Sequence, residues 1–174
     1  MISQHVRLRV VLTGPESSGK TTLAHALADF YGCNVVPEFA RSFLGALCRE
    51  YNHDDLALIA RGQTAWEYWY SAHAEHWLLV CDTDWTVVRI WESFRYGYVK
   101  HTLHPVAAPD TLYLLCKPDI EWEPDPLREN PDDRDELFGL YEQLLRETGL
   151  NYSISSGNVT DRLQNAVSLI EKYS

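Results

Sequence analysis

The sequence lacks the features that mark several large classes of protein. Its 174 residues contain four scattered cysteines and no Cys-x-x-Cys pair, so we expect reduced, buried thiols in a cytoplasmic protein. No apolar run approaches the ~18 residues of a membrane span, and we expect no signal peptide because the first strand-like run begins almost at Met1. There is no internal repeat, and the length favours one domain over residues 1–174.

Positive charge is also scarce. Fifteen Lys and Arg stand against 25 Asp and Glu, which gives a formal net charge of −10. Because nucleic acids attract basic surfaces, this balance argues against nucleic acid as the main partner. A small anionic ligand remains compatible with the charge, since one local nest of main-chain amides is enough to bind it.

A phosphate-binding motif lies near the N-terminus. Residues 14–21 have the sequence Gly-Pro-Glu-Ser-Ser-Gly-Lys-Thr, which is the G-x-x-x-x-G-K-[ST] spacing of a Walker A loop. An apolar run over residues 6–13 precedes the motif, and a stretch with helical periodicity follows it, with Leu23, Ala26, Leu27, Phe30 and Tyr31 as its expected apolar face. Strand, loop and helix together predict a site for a nucleoside triphosphate.

The residue types of the motif suit this chemistry. Gly14 and Gly19 allow the backbone to curl so that its N–H groups converge on phosphate oxygens. Lys20 is expected to reach the β- and γ-phosphates, and the Thr21 hydroxyl to bind Mg²⁺. The expected nucleotide contacts in this loop are Gly14, Glu16, Ser17, Ser18, Gly19, Lys20, Thr21 and Thr22.

Strand-like and helix-like segments alternate along the chain. We expect strands near residues 6–13, 34–37, 77–81, 111–116 and 152–155, and helices after the motif and near 42–49, 54–74, 85–96, 130–148 and 160–173. Asn130 is expected to cap the helix near 130–148, with Pro131 in its first turn. This alternation predicts a parallel sheet covered by helices on both faces.

Carboxylates follow two of the predicted strands, where ligands bind in open α/β sheets. Asp82 follows a strongly apolar run, as a Walker B aspartate does, and is expected to hold Mg²⁺. Asp84 suits either a catalytic role or the cap of the next helix. Glu38 is expected to accept a hydroxyl proton from an acceptor or to bind its sugar, and Arg41 to pair with Glu38 or to face phosphate.

Further candidates lie in the long helix and after the fourth strand. Arg128 and Arg134 belong to a polar segment, about 119–134, that we expect to act as a lid, although its many acids also suit a solvated network. Gln63 is a polar residue on an apolar stripe and is a candidate ligand contact, and Tyr68 and Trp69 are candidates for stacking on a planar ring. The pairs His73/His76 and His101/His104 indicate metal spacing only weakly, because no acidic or cysteine partner completes a zinc site.

Two classes of nucleotide-binding protein do not match. A GTPase switch protein needs an Asn-Lys-x-Asp motif, which is missing from the sequence. A motor of the AAA type usually has Glu directly after its Walker B Asp, and Thr83 occupies that position.

Taken in order, six segments resemble one family. Residues 14–21, Pro37-Glu-Phe-Ala-Arg41, Ile59-Ala-Arg-Gly-Gln63, Cys81-Asp-Thr-Asp84, Asp119-Ile-Glu-Trp122 and Leu127-Arg128 are similar to the ribosylnicotinamide kinase domain of NadR-type NAD-biosynthesis proteins. The resemblance implies a three-layer P-loop kinase fold of the nucleoside and nucleotide kinase type, with five parallel strands in the order 2-3-1-4-5. It also implies transfer of the ATP γ-phosphate to the 5′-hydroxyl of nicotinamide riboside.

The same resemblance implies roles for individual residues. Lys20 and Thr21 would serve ATP and Mg²⁺, Glu38, Asp82 and Asp84 would serve Mg²⁺ or the ribose hydroxyls, and Arg128 would belong to the lid. Three features differ from the family pattern: no adenylyltransferase domain precedes the kinase segment, Pro37 stands where some relatives have an aromatic residue, and Asp125-Pro126 replaces Asp-Gly. Because of the first feature we do not expect complete NAD synthesis, and the other two concern the identity of the acceptor and the motion of the lid.

The sequence as a whole favours an ATP- and Mg²⁺-dependent phosphotransferase with a small nucleoside acceptor. Its catalytic residues would be Lys20, Glu38, Asp82, Asp84 and Arg128, and its acceptor contacts Glu38, Arg41, Gln63, Tyr68, Trp69 and Asp84. Two alternatives remain, namely another metabolite kinase on the same scaffold and a nucleotide-binding regulatory module without catalysis.

Overall fold

A parallel five-stranded sheet organises the chain in the computed structural model, which describes residues 6–100 and 110–173. Its strands are β1 (Leu8–Thr13), β2 (Val35–Val36), β3 (Leu78–Asp82), β4 (Asp110–Cys116) and β5 (Tyr152–Ser155). They lie in the order β2-β3-β1-β4-β5 with every neighbouring pair parallel, which confirms the expected order 2-3-1-4-5.

Helices connect the strands. They are α1 (Lys20–Tyr31), α2 (Phe39–Ala46), α3 (His53–Ala72), α4 (Trp85–Tyr96), α5 (Arg134–Glu147) and α6 (Val159–Ile170), with a short 3₁₀ helix at Glu171–Tyr173. Local chemistry sets several of these bounds. Asn52 begins α3 in a capping box with Asp55, Asn158 caps α6, and left-handed glycines end α1 and α4.

The hydrophobic core has a layer on each face of the sheet. Leu8, Val10 and Leu12 of β1 point toward α1 and α6, and Val11 points to the opposite face, toward α4 and α5. A third cluster joins α2, α3 and α4. Since β1 lies in the middle of a sheet that is covered on both faces, all six of its residues are buried. The three-layer α/β fold is therefore confirmed.

Some expected details are wrong. Helix α5 begins at Arg134 with Asp133 in the cap position, not at Asn130, because the main-chain N–H of Asn130 donates to Glu16 of the phosphate loop instead. On α1 the buried residues are Leu23, Ala24, Leu27 and Ala28, and the expected core residue Phe30 is 58% exposed. Helix α2 begins at Phe39, earlier than expected, because the side chain of a distant residue, Gln63, accepts the N–H of Phe39.

Two observations concern membrane-spanning helices and zinc sites, neither of which the sequence predicted. Of the helices in residues 6–100 and 110–173, none combines the length and hydropathy that crossing a bilayer requires. Over the same residues no cluster of three or more His, Cys, Asp or Glu side chains suits a metal ion. His73 contacts the carbonyl of Trp69, and His76 accepts from the main chain of Leu78. The pair His101/His104 lies outside the described residues.

Candidate active site

A cavity of about 180 Å³ lies at the carboxyl ends of the strands. Residues 14–22 of the phosphate loop form one side of it, and the segment between β4 and α5 (residues 117–133, the β4–α5 segment) covers it. The far side is built by α2, α4 and α5, through Ala40, Arg41, Leu44, Val87, Ile90, Trp91, Phe94, Leu137 and Tyr141. Glu38 lies between the two sides, and the cavity therefore joins a phosphate-binding end to a largely apolar end.

The phosphate loop has the backbone that the motif predicts. Gly14 has φ 131°, and a Cβ at this position would lie 2.7 Å from the carbonyl oxygen of Cys116, so only glycine fits. Ser17 and Gly19 also have positive φ angles, as expected for a loop whose successive N–H groups form an anion-binding nest. The Lys20 ammonium donates to the carbonyls of Gly14 at 2.9 Å and Pro15 at 2.7 Å, and it therefore lies across the loop that it is expected to serve.

The structure brings together the two residues expected to hold a metal ion. The Thr21 hydroxyl donates to Asp82 Oδ2 at 2.7 Å, although the two residues are 61 positions apart. Asp82 is 4% exposed, and its Oδ1 atom is buried with no hydrogen-bond partner in the described part of the chain. A buried carboxylate oxygen without a donor, beside a hydroxyl and the phosphate loop, suits a hard cation such as Mg²⁺.

Glu38 is a carboxylate that lines the cavity beside the phosphate loop. It follows β2 as the cap residue of α2, its side chain is 25% exposed, and Arg41 Nε lies 3.9 Å from its carboxylate. Burial raises the pKa of Glu38, the charge of Lys20 opposes this shift, and the negative charge of Asp82 adds to it. A carboxylate with a raised pKa beside the phosphate loop is a suitable proton acceptor.

Asp84 does not line the cavity. It is 1% exposed, and its Oδ2 accepts from Arg9 at 3.0 Å and from the Tyr113 hydroxyl at 2.8 Å. Its Oδ1 accepts from the main-chain N–H and the hydroxyl of Thr86, so Asp84 caps α4, as the alternative interpretation held. We therefore propose that Asp84 anchors the turn after Asp82 and does not touch an acceptor.

The anchor depends on a buried arginine that the sequence analysis missed. Arg9 is 2% exposed, and its Nη2 lies 2.6 Å from Glu67 and 3.0 Å from Asp84. Burial raises the pKa of Glu67, an effect that the charge of Arg9 partly offsets. The signal was present, because one arginine inside an otherwise apolar strand requires buried partners.

A second buried arginine, Arg162, was missed in the same way. From the apolar stripe of α6 it donates to the carbonyls of Ser18 at 2.7 Å, Lys117 at 2.9 Å and Gly157 at 2.7 Å, and it also pairs with Asp119. It thereby ties the phosphate loop to the end of β4 and to the turn before α6.

The β4–α5 segment packs on the phosphate loop. Glu16 accepts the main-chain N–H groups of Glu129 at 2.9 Å and Asn130 at 3.0 Å. Arg134 donates to the carbonyl of Ser17 at 3.2 Å, and Arg128 lies 3.4 Å from the Ser17 hydroxyl while also donating to the carbonyl of Glu123. The structure thus brings both candidate arginines to the loop.

The same segment also contacts the apolar end of the cavity. Asp125 accepts from Arg41 at 2.9 Å. Glu129 accepts from the Tyr51 hydroxyl at 2.8 Å and lies 2.6 Å from Arg95 on α4. Arg41 is therefore held by the β4–α5 segment, and it also lies 3.9 Å from Glu38, the partner that one of the two expectations named.

The aromatic residues of the cavity are not those expected. Tyr68 and Trp69 are 42% and 57% exposed on the outer side of α3 and do not line it. Trp91 and Phe94 of α4 and Tyr141 of α5 line it instead. The signal was the spacing i, i+3, i+4 and i+7 of Val87, Ile90, Trp91 and Phe94 on one face of α4.

Gln63 is buried but does not line the cavity. Its amide nitrogen donates to the carbonyl of Thr83 at 3.3 Å, and its amide oxygen accepts the N–H of Phe39 at 2.8 Å. Both functions of the amide are thus used by the protein, and the expected acceptor contact is replaced by a bridge between two turns.

Comparison with solved structures gives the fold family. The chain is similar to a NadR protein in complex with NR, with a TM-score of 0.73 and 22% identity over 97% of this chain and 52% of the other. A NadR protein in complex with NAD and AMP-PNP gives 0.70 and 20% over 97% and 50%. Thymidylate kinase from Ehrlichia chaffeensis gives 0.61 and 13% over 95% and 99%. The chain thus has the fold of P-loop kinases and spans about half the length of the two NadR chains.

A search of curated proteins gave no significant match. Residues 9–162 match a protein family described as AAA domain. Thr83, directly after Asp82, argues against a motor of the AAA type but not against the AAA domain itself. Since it spans most of the sequence, from the buried arginine of β1 to that of α6, the chain belongs to the AAA domain family.

Proposed function

We propose that the protein is an ATP- and Mg²⁺-dependent small-molecule kinase. It transfers the γ-phosphoryl group to a hydroxyl of a nucleoside, and nicotinamide riboside, which would yield nicotinamide mononucleotide, is the best acceptor candidate. The observation that carries this proposal is the single cavity in which the phosphate loop, Glu38 and a wall of aromatic side chains meet. Such a cavity has room for a donor phosphate and an acceptor hydroxyl side by side.

Each residue of the site has a role in this reaction. Lys20 and Arg128 neutralise charge on the transferred phosphoryl group, and Arg134 holds the β4–α5 segment on the loop, so that this segment serves as a lid. Glu38 accepts the proton of the attacking hydroxyl. Thr21 and Asp82 are the ligands for Mg²⁺, which when bound neutralises charge on the phosphates of the donor.

Two features support nicotinamide riboside over other acceptors. One of the similar NadR structures is a complex with NR. Trp91, Phe94 and Tyr141 line the acceptor end together with the carboxylate of Glu38, and aromatic faces with a nearby negative charge suit a planar cationic ring.

Incubating the protein with ATP, Mg²⁺ and a panel of acceptors tests the proposal. We expect ADP and a phosphorylated product with nicotinamide riboside, and less product with purine and pyrimidine nucleosides or shikimate. We expect Lys20→Ala to lower turnover by about 10³-fold or more, because phosphoryl transfer depends on charge neutralisation. Lys172→Ala, in the terminal 3₁₀ helix, serves as the control. If product forms with another nucleoside and not with nicotinamide riboside, that nucleoside is the acceptor. If ATP binds but no acceptor gives ADP, the protein is a regulatory nucleotide-binding module.

A further inference from the structure

Gln63 connects the two turns that carry the candidate proton acceptor and the candidate metal ligand. It lies on α3 and is 2% exposed. Its amide oxygen accepts from Phe39 N, directly after Glu38, and its amide nitrogen donates to Thr83 O, directly after Asp82. One side chain thus spans the turn after β2 and the turn after β3.

Only a carboxamide satisfies both turns. Phe39 N is a donor that needs an acceptor, and Thr83 O is an acceptor that needs a donor, so the amide has one orientation that fits. A carboxylate supplies no donor, and an apolar side chain supplies neither function, so at least one buried main-chain group would lose its partner.

Two further observations show that this region is tightly constrained. Thr83 has φ 75°, which is unfavourable for a β-branched residue and persists only where surrounding contacts hold it. A Cβ on the neighbouring Gly62 would lie 2.2 Å from the Phe39 ring, so α3 approaches the turn of Glu38 as closely as a glycine allows.

We infer that Gln63 is a positioning residue of the active site, whose amide fixes the separation between the carboxylates of Glu38 and Asp82. The inference rests on the proposed kinase function for its effect on turnover. Its effect on metal-linked nucleotide binding does not depend on that function, because Asp82 is positioned whether or not an acceptor is phosphorylated.

Gln63→Met and Gln63→Glu test the inference in the full chain. The methionine variant removes both hydrogen bonds, and the glutamate variant retains an acceptor for Phe39 N but loses the donor to Thr83 O. We expect each to lower kcat by about 10- to 100-fold, with KM for ATP changed by less than about threefold, because misplacement of reacting groups affects turnover more than binding. We also expect the factor by which Mg²⁺ strengthens AMP-PNP binding to fall about fivefold or more in both variants.

Asn52→Ala is the matched control, because it removes the cap of the same helix without touching either turn. If Gln63 acted only through the stability of α3, the control with a similar loss of Tm would show the same loss of kcat. A normal kcat and normal Mg²⁺ linkage in the methionine variant, or equal losses in the control, would overturn the inference. If the wild type turns over no acceptor, the proposed function is rejected. The inference is retained in that case if Mg²⁺ strengthens AMP-PNP binding less in the Gln63 variants than in the wild type.

Discussion

At the scale of single residues, burial away from water raises the pKa values of two carboxyl groups in and near this site. Glu38 and Glu67 both have pKa values raised by burial, although a cationic neighbour opposes the shift in each case. The two nevertheless differ in setting, since Glu38 faces a cavity and Glu67 is sealed against Arg9. The candidate proton acceptor is therefore identified by its contact with the cavity and not by its raised pKa, which Glu38 and Glu67 share.

Glu38→Gln is expected to separate activity from stability. A raised pKa in the folded state means that the ionised carboxylate is unfavourable there, so stability is lost as pH rises from the ordinary glutamate pKa through the folded value. The variant should therefore have a higher Tm than the wild type at pH 7, and the difference should vanish near pH 4, while turnover falls by about 100-fold or more. Thermal unfolding and initial rates measured across this pH range check both effects. A lower Tm at pH 7 would contradict the assigned environment of Glu38.

Arg9→Met is expected to destabilise the fold strongly. It leaves the carboxylates of Glu67 and Asp84 buried without their cation, and breaking such a group costs about 3–5 kcal/mol. The deficit should shrink as pH falls from 8 to 5, because burial raises the pKa of Glu67 and protonation of that carboxylate removes its uncompensated charge. Urea unfolding at both pH values measures it. Arg7→Met, at an exposed arginine two positions earlier, should change stability by less than about 0.5 kcal/mol, and an equal loss in both variants would reject the buried pairing.

Single residues also show where sequence reasoning succeeded. Thr21 and Asp82 were each predicted to serve Mg²⁺ from their separate motifs, and the structure brings the two side chains together because both motifs follow strands that meet at one edge of the sheet. Arg9 was missed because residues 6–13 were treated as one apolar run, and the charged residue inside this run was not considered separately. Tyr68 and Trp69 were chosen by residue type and because the family resemblance implies a stacking aromatic near them, although they are out of phase with the stripe that includes Gln63 and lie on the outer side of α3.

At the scale of elements, the β4–α5 segment is a bridge between the two ends of the cavity. It contacts the phosphate loop through Glu16 and the acceptor side through Arg41, Tyr51 and Arg95. The Tyr51 hydroxyl also accepts from Trp91, which lines the cavity. The position of this segment, the proposed lid, is therefore coupled to the wall of the cavity that Trp91 forms.

Glu129→Gln is expected to loosen the lid with little effect on stability. Arg95 and Glu129 are about 40% exposed, so their ion pair adds at most about 1 kcal/mol to folding. Wild-type KM for the acceptor should rise with ionic strength, and the variant should begin with a KM raised about two- to fivefold and respond less to salt. Initial rates from 25 to 300 mM NaCl check this. Glu121→Gln, an exposed acid of the same segment, should behave as the wild type, and identical salt responses of all three proteins would contradict the role of Glu129.

Element bounds were predicted best where local chemistry decides them. Helix α4 runs from Trp85 to Tyr96 as expected, because Asp84 and Gly97 cap it locally. The starts of α2 and α5 were wrong because partners far along the sequence, Gln63 and Glu16, take main-chain groups that local rules leave free. Tertiary contacts of this kind have no signature in a short window of sequence.

At the scale of the whole molecule, the candidate nucleotide site exists only when the parallel sheet is folded, because several strands and loops form it. A ligand that binds there should therefore stabilise the folded state. ATP with Mg²⁺ at about 100 times its Kd should add about 2.7 kcal/mol to the free energy of unfolding, or about 5–10 °C in Tm. EDTA should remove most of this gain, and so should Thr21→Val, whereas Thr21→Ser should keep it because the hydroxyl remains. Thermal shift assays give the result. A gain that is unaffected by EDTA would argue against the metal site at Thr21 and Asp82.

The hydrogen bonds of Lys20 to its own loop have a consequence for the proposed reaction. Its ammonium is already held by the carbonyls of Gly14 and Pro15, so an incoming nucleotide exchanges neutral acceptors for phosphate oxygens and does not engage a bare cation. The loop thereby competes with its own ligand. In the proposed kinase such self-competition would weaken the binding of ADP as well as of ATP, and it would favour rapid departure of the spent nucleotide over tight storage.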